Sequence, residues 1–311
     1  MTTAYYSHPD CHGHDMGGGH PECPERLDAI DDHLRAIGLD IALEKREAPL
    51  ADAADLDRAH ESRYVAEIGD VLQRIAADGR PRAIDADTIA APGTWNAVMR
   101  AAGAAVAATD AVIDGEVVNA FCATRPPGHH ATRDQAMGFC FFNNVAVAAR
   151  HALDVRGLER VAIVDFDVHH GNGTEDIIAN DERVLMVSIF QHPLYPYSGT
   201  SPMGTNMVNV PVPPYTRGPQ VRALIEENWM APLEAFRPEM IFVSAGFDAH
   251  REDELGQLGL VEADYAWITE RIKAVADKHA KGRIVSCLEG GYNLGALARS
   301  VAAHLRVLLA A

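Results

Sequence analysis

Short unbroken apolar runs alternate along this chain with longer stretches in which apolar residues recur every three to four positions. The runs at 119–124, 161–165, 184–190, 240–245 and 283–288 read as strands of a sheet covered on both faces. The periodic stretches read as helices. One is opened by Pro24 and Glu25, carries Leu27, Ile30, Leu34 and Ile37 on one face, and is closed by Gly38. Residues 55–77 form a second, and an Ala-rich third spans 94–114 with Val98, Ala102, Val106 and Ile113 aligned before Gly115. A fourth passes through Phe142, Val145 and Ala149, and 294–309 form the last, while 80–92 read as a loop carrying Asp85 and Asp87. The alternation predicts an α/β fold, a single domain over 1–311 with a mainly parallel central sheet and helices on both faces.

Polar chemistry is concentrated where the apolar runs stop. The run 161–165 ends in Asp165 and continues through Asp167, His169 and His170 to Gly171, Asn172 and Gly173. In a still-extended backbone Asp167 and His169, two apart, point the same way and can share one ion, and the glycines then turn the chain toward a helix. Burying so many ionisable groups costs several kcal/mol unless a cation or a hydrogen-bond network compensates them. The run 119–124 leads into Arg125-Pro-Pro-Gly-His129-His130-Ala131, whose prolines present two histidines suited to proton transfer from a stiff loop. Asp248 follows 240–245, and Tyr292 follows 283–288. In a parallel sheet the ligand crevice lies outside the carboxyl ends of the strands, so these groups should converge. Tyr195 and Tyr197, among prolines and Gly199, suit one wall of a substrate channel.

Composition narrows the function. A chain of 311 residues, 48% hydrophobic and 23% charged, is no disordered segment, and a net charge of -17 argues against nucleic-acid binding. Five scattered cysteines, Cys11, Cys23, Cys122, Cys140 and Cys287, fit a reduced cytoplasmic protein. The N-terminal residues show no signal-peptide pattern and no stretch is long and apolar enough for a membrane span, so no membrane partner is expected. Cys11, His12, His14, His20 and Cys23 lack the spacing of a zinc knuckle, and His20, Glu22 and Arg26 fall at a loop–helix junction.

Taken in order, H-P-E-C-P-E-R-L, R-P-P-G-H-H-A, G-F-C-F-F-N-N, D-F-D-V-H-H-G-N-G-T, S-A-G-F-D-A-H and E-G-G-Y resemble the arginase/deacetylase superfamily. Within it they resemble the class II-like zinc-dependent histone deacetylases and histone deacetylase-like amidohydrolases. The resemblance implies the arginase/deacetylase fold and a hydrolase that removes acetyl or short acyl groups from lysine side chains. It implies Zn2+, with Fe2+ as the cellular alternative, held by Asp167, His169 and Asp248. His129 and His130 would act on the water, with Asp165 orienting His129 and Asn172 meeting His130. Tyr292 would face the carbonyl, and Gly138, Phe139 and Tyr195 would line the acyl-lysine channel. A structural K+ near Asp165 and Ser188 is also implied.

Two relatives on the same fold compete with this reading. An arginase-like dimanganese hydrolase would need further carboxylates where His130 and Asn172 stand. An acetylpolyamine amidohydrolase shares every catalytic residue, and the discriminating position is Leu255, where the polyamine-selective relatives carry Glu. Leu offers apolar contact to an acyl-lysine peptide, whereas Glu252, Asp253, Glu254 and the overall charge favour a polycation. The expected partner is therefore an acylated lysine peptide or protein, or an acetylated polyamine, with homo-oligomerisation left open.

Overall fold

The computed structural model describes residues 2–310, and in it the apolar runs become the inner strands of one eight-stranded sheet. In chain order the elements are β1 (Thr3–Ser7), α1 (Glu25–Ala36), β2 (Leu43–Glu47), α2 (Ala53–Leu56), α3 (Ser62–Asp78), β3 (Arg82–Ala83), β4 (Ile89–Ala90) and α4 (Thr94–Ile113). They continue as β5 (Asn119–Cys122), α5 (Asn144–Asp154), β6 (Val161–Asp165), α6 (Asn172–Ile178), β7 (Val184–Gln191) and β8 (Met207–Val212). The chain ends with α7 (Gly218–Asn228), α8 (Met230–Phe236), β9 (Met240–Ala245), α9 (Glu262–His279), β10 (Ile284–Leu288) and α10 (Leu294–Leu309).

The sheet order is β2-β1-β5-β10-β9-β6-β7-β8, and every pairing is parallel. Because successive strand residues point to opposite faces, β6 sends Val161 and Ile163 into one core and Ala162 and Val164 into the other. The first core packs under α3, α4 and α5, and the second under α1, α9 and α10. Burial on both faces is why the inner strands read as continuous apolar runs. The five central strands β5, β10, β9, β6 and β7 are neighbours, so the loops leaving their carboxyl ends share one rim of the sheet.

Several expectations need correction. The stretch 55–77 is not one helix: α2 stops at Leu56, α3 starts at Ser62, and the turn between them is occupied by buried His60, whose ring accepts from the Asn143 N–H and bonds the Thr132 carbonyl. Residues 80–92 are not all loop, because β3 and β4 form a short antiparallel ribbon with Asp85 and Asp87 at its tip. The backbone over 167–169 is bent rather than extended, since Asp165 Oδ1 accepts from the Asp167 N–H and Asp167 Oδ1 from the His169 N–H, each two residues on. Strands β1, β2 and β8 and helices α7, α8 and α9 were not anticipated. Among the described residues no helix is long and apolar enough to cross a membrane.

Candidate metal centre and active site

Asp167 and His169 leave the end of β6 and Asp248 leaves the end of the adjacent β9. Their ligand atoms, two carboxylate oxygens and one imidazole nitrogen, all lie within 4.8 Å of one another. His169 Nδ1 is 3.0 Å from Asp167 Oδ1 and 3.2 Å from Asp248 Oδ2. The outer oxygens are anchored by backbone: the Gly290 N–H donates to Asp167 Oδ2 at 2.8 Å and the Val168 N–H to Asp248 Oδ1 at 2.9 Å. Asp248 Oδ2 is buried with no donor aligned on it. Burial, reinforced by the charge of Asp167, pushes the Asp248 carboxyl up to about 7. Burial works against a charged His169, but Asp167 and Asp248 outweigh it and push that imidazole up to about 10. Two buried carboxylates thus call for positive charge between them, and a two-carboxylate, one-imidazole set suits a divalent ion with open positions. A side chain at Gly246 or Gly290 would collide with these carboxylates, so both positions require glycine by close approach.

The tandem histidines reach the same point from the end of β5. His129 Nδ1 lies 3.0 Å from Asp165 Oδ2, and His130 Nδ1 lies 2.8 Å from Asn172 Oδ1. Burial lowers both imidazoles, but at His129 the carboxylates of Asp165 and Asp167 reverse the effect and push it up to about 10. At His130 burial is joined by the positive charges of His129 and His169, which hold it well below its ordinary value. The two neighbouring imidazoles are thus pushed in opposite directions, His129 toward its protonated form and His130 toward its neutral form. With an amide oxygen accepting from Nδ1, His130 keeps Nε2 free to take a proton. Gly171 and Gly173 do not turn the chain through unusual backbone angles. They admit Asp165 and the Ala131 carbonyl, which any Cβ would strike.

A cavity of about 220 Å³ leads to these groups, lined by Asp87, His130, Gly138, Phe139, His169, Leu194, Tyr195, Tyr197, Leu255 and Tyr292. The ring of Tyr195 stands edge-on to His130 at 5.2 Å, and Phe139 edge-on to Tyr292 at 6.1 Å. Phe139 has φ 70°, a conformation costly for an aromatic residue, and it is held there by the β3–β4 ribbon. Asp87 Oδ1 accepts from the Gly138 N–H at 3.2 Å and Thr88 Oγ1 from the Phe139 N–H at 3.1 Å. Burial keeps the Tyr292 phenol well above its ordinary value, so it remains a donor, and among the described residues its hydroxyl has no partner.

Of the site residues expected from the sequence, His130, Gly138, Phe139, His169, Tyr195, Tyr197, Leu255 and Tyr292 line this cavity, and His129, Asp165, Asp167, Asn172 and Asp248 pack against those; Asp87 and Leu194 line it without having been expected to. Asp87 was legible as an acid in a loop, but nothing in the sequence says that the loop folds onto Gly138. Of the three acids beside Leu255, Asp253 turns inward, Glu252 pairs with Arg299 at 2.9 Å, and only Glu254 faces the groove at the channel mouth. The polycation-attracting role expected of that run therefore shrinks to one carboxylate. Behind the site, buried Glu22 pairs with Arg125 and with Arg26 at 3.1 Å, and Arg26 Nε donates to the Gly291 carbonyl at 2.7 Å. This tie joins the N-terminal loop to the loops that carry His129 and Tyr292. His14 bonds Thr94 Oγ1 at 2.8 Å and His12 bonds Asp28 at 3.0 Å, so the two point to different neighbours.

The histone deacetylase domain family matches residues 20–308. The histone deacetylase-like amidohydrolase of Pseudomonas aeruginosa is 39% identical over 284 residues, spanning 88% of this chain and 73% of that protein. A probable deacetylase of Archaeoglobus fulgidus is 38% identical over 309 residues, spanning 96% and 83%. The crystal structure of the HDA15 HD domain superposes with a TM-score of 0.92 at 32% identity, covering 99% of this chain and 88% of that one.

Proposed function

The chain belongs to the histone deacetylase family, and from that membership we propose that it is a metal-dependent amidohydrolase removing acetyl or short acyl groups from lysine side chains. The observation that carries the proposal is His130, its Nδ1 held by Asn172 and its Nε2 free, beside the Asp167, His169 and Asp248 cluster at the foot of a channel walled by Phe139, Tyr195 and Leu255. A zinc or ferrous ion held by Asp167, His169 and Asp248 would polarise the amide carbonyl and lower the pKa of water.

The chain's own groups supply the rest. Phe139, Tyr195 and Leu255 bury the aliphatic stem of the acylated lysine and exclude bulk water. His130 Nε2 takes the proton from the attacking water as oxygen bonds to the carbonyl carbon. It then returns a proton to the departing amine as the C–N bond breaks, leaving acetate and free lysine. His129, an imidazolium fixed by Asp165, offsets the negative charge that develops, and the Tyr292 hydroxyl donates to the oxyanion. We further propose a structural K+ near Asp165 and its sheet partner Ser188.

Leu255 favours an acyl-lysine peptide over an acetylated polyamine, because an apolar wall cannot pair with a distal ammonium. An arginase-like pair of metal ions is disfavoured because His130 and Asn172 stand where further carboxylate ligands would be needed. Asp248→Ala tests the ligand assignment. It should lose both bound metal and hydrolase activity, measured by metal analysis and acetate release, and full metal occupancy with wild-type turnover would overturn it.

A further inference from the structure

We propose that Asp253 is a positioning residue that locks Tyr292 and Leu255 into one unit and thereby sets the turnover of the reaction; this rests on the functional reading above. In the sequence Asp253 sits inside an acidic run and looks like a solvated surface charge. In the fold it is 6% exposed, and its two oxygens are fully used. Oδ2 accepts from the N–H of Tyr292 at 2.6 Å and of Asn293 at 3.0 Å, while Oδ1 accepts from the N–H of Leu255 at 3.0 Å. The Asp253 N–H donates in turn to the His250 carbonyl at 2.9 Å, which ties the group to the loop of Asp248.

The placement has an electrostatic and a mechanical reason. Asn293 is the N-cap of α10, its side chain accepting from the Ala296 N–H, so the carboxylate of Asp253 lies at the positive end of a 16-residue helix. Tyr292 follows Gly290 and Gly291, the latter at φ 123°, a pair that leaves the backbone free to swing. On the β10 side that swing is checked by the Gly290 N–H on Asp167 and the Gly291 carbonyl on Arg26; on the α10 side it is checked by Asp253. The Tyr292 ring touches Phe139 and lies 5.1 Å from the Arg26 guanidinium, contacts that orient a ring whose origin is already fixed. Through the Leu255 N–H, the same carboxylate joins the channel wall that meets the substrate to the residue that meets the oxyanion. A displacement of about 1 Å in such a donor costs roughly a hundredfold in rate.

The test is a double-mutant cycle with an independent structural readout. Metal-loaded Asp253→Ala should lower kcat roughly tenfold to a hundredfold with little change in KM, and Asp253→Asn, which keeps one accepting oxygen, should lose less. In a Tyr292→Phe background Asp253→Ala should cost less than about threefold more, because the donor it positions is already gone. Amide hydrogen exchange should accelerate in the peptide spanning 290–293 and stay unchanged over 161–169, with metal content per chain unaltered. Equal losses in both backgrounds, unchanged exchange at 290–293, or loss of metal together with kcat would each overturn the proposal. Asp253→Asn carries the cycle if the alanine variant does not fold. A wild type without amidohydrolase activity would overturn the functional reading, and the exchange data would then decide the placement alone.

Discussion

Asp165 and Asn172 each face one of two adjacent imidazoles with an oxygen and differ in charge, and in the proposed mechanism that difference separates the roles of His129 and His130. A carboxylate 3.0 Å from His129 favours its protonated form, whereas an amide 2.8 Å from His130 fixes orientation and adds no charge to offset the burial that favours the neutral ring. The contrast was legible in the sequence, because D-F-D-V-H-H-G-N-G-T places an acid and an amide where each histidine can reach one. Tyr292, whose hydroxyl has no partner among the described residues, completes the proposed set as a donor. Tyr292→Phe should keep its metal and lose roughly a hundredfold or more in kcat, the usual scale for deleting one oxyanion donor, with KM little changed. Steady-state kinetics beside metal analysis checks this, and a variant that raised KM alone would make Tyr292 a channel wall.

At the scale of elements, the strands carrying the site were the easiest to find and those at the sheet edge were not. β6, β9 and β10 are buried on both faces and read as apolar runs that stop at a polar residue. β2, Leu-Glu-Lys-Arg-Glu, is an edge strand whose alternate residues reach solvent, and its charges mask it. β8 carries Pro211, which a strand tolerates at an edge but which argues against one in the sequence. The bend over 167–169 was missed because side-chain-to-backbone bonds, invisible to periodicity, override the strand geometry. A similar clasp ties α9, α10 and β10 together: Thr269 donates to the Tyr265 carbonyl and so accepts from His304 Nδ1, while Ser286 donates to Nε2. Burial holds His304 down at about 3, so the folded protein keeps it neutral while the unfolded chain protonates it below about 6.5. Between those values the unfolded state binds more protons, and stability falls as pH falls, by up to about 1.4 kcal/mol per pH unit from this residue. His304→Gln should flatten the pH dependence of the unfolding free energy between pH 6.5 and 4. An unchanged slope would show that His304 does not titrate with unfolding.

For the whole molecule, the parallel sheet explains why residues distant in sequence meet. Five neighbouring strands deliver His129, Tyr292, Asp248, Asp167 and Tyr195 to one rim, and the chain order of the motifs follows from the strand connections. Of the net charge of -17, the part beside Leu255 is reduced at the channel mouth to Glu254, because Asp253 is turned inward and Glu252 is paired, while Asp87 lines the channel itself. In the function proposed here, Leu255 at the channel wall is the residue that selects the substrate class. The measurement that bears most directly on this account is kcat/KM of the metal-loaded protein for an acetyl-lysine peptide and for acetylspermidine, side by side, in wild type and Leu255→Glu. The wild type should favour the peptide, and Leu255→Glu should shift the ratio toward the polyamine by roughly tenfold, the scale of one exposed ion pair and the lost apolar contact. A wild-type preference for acetylspermidine, or hydrolysis of neither substrate with metal bound, would contradict it.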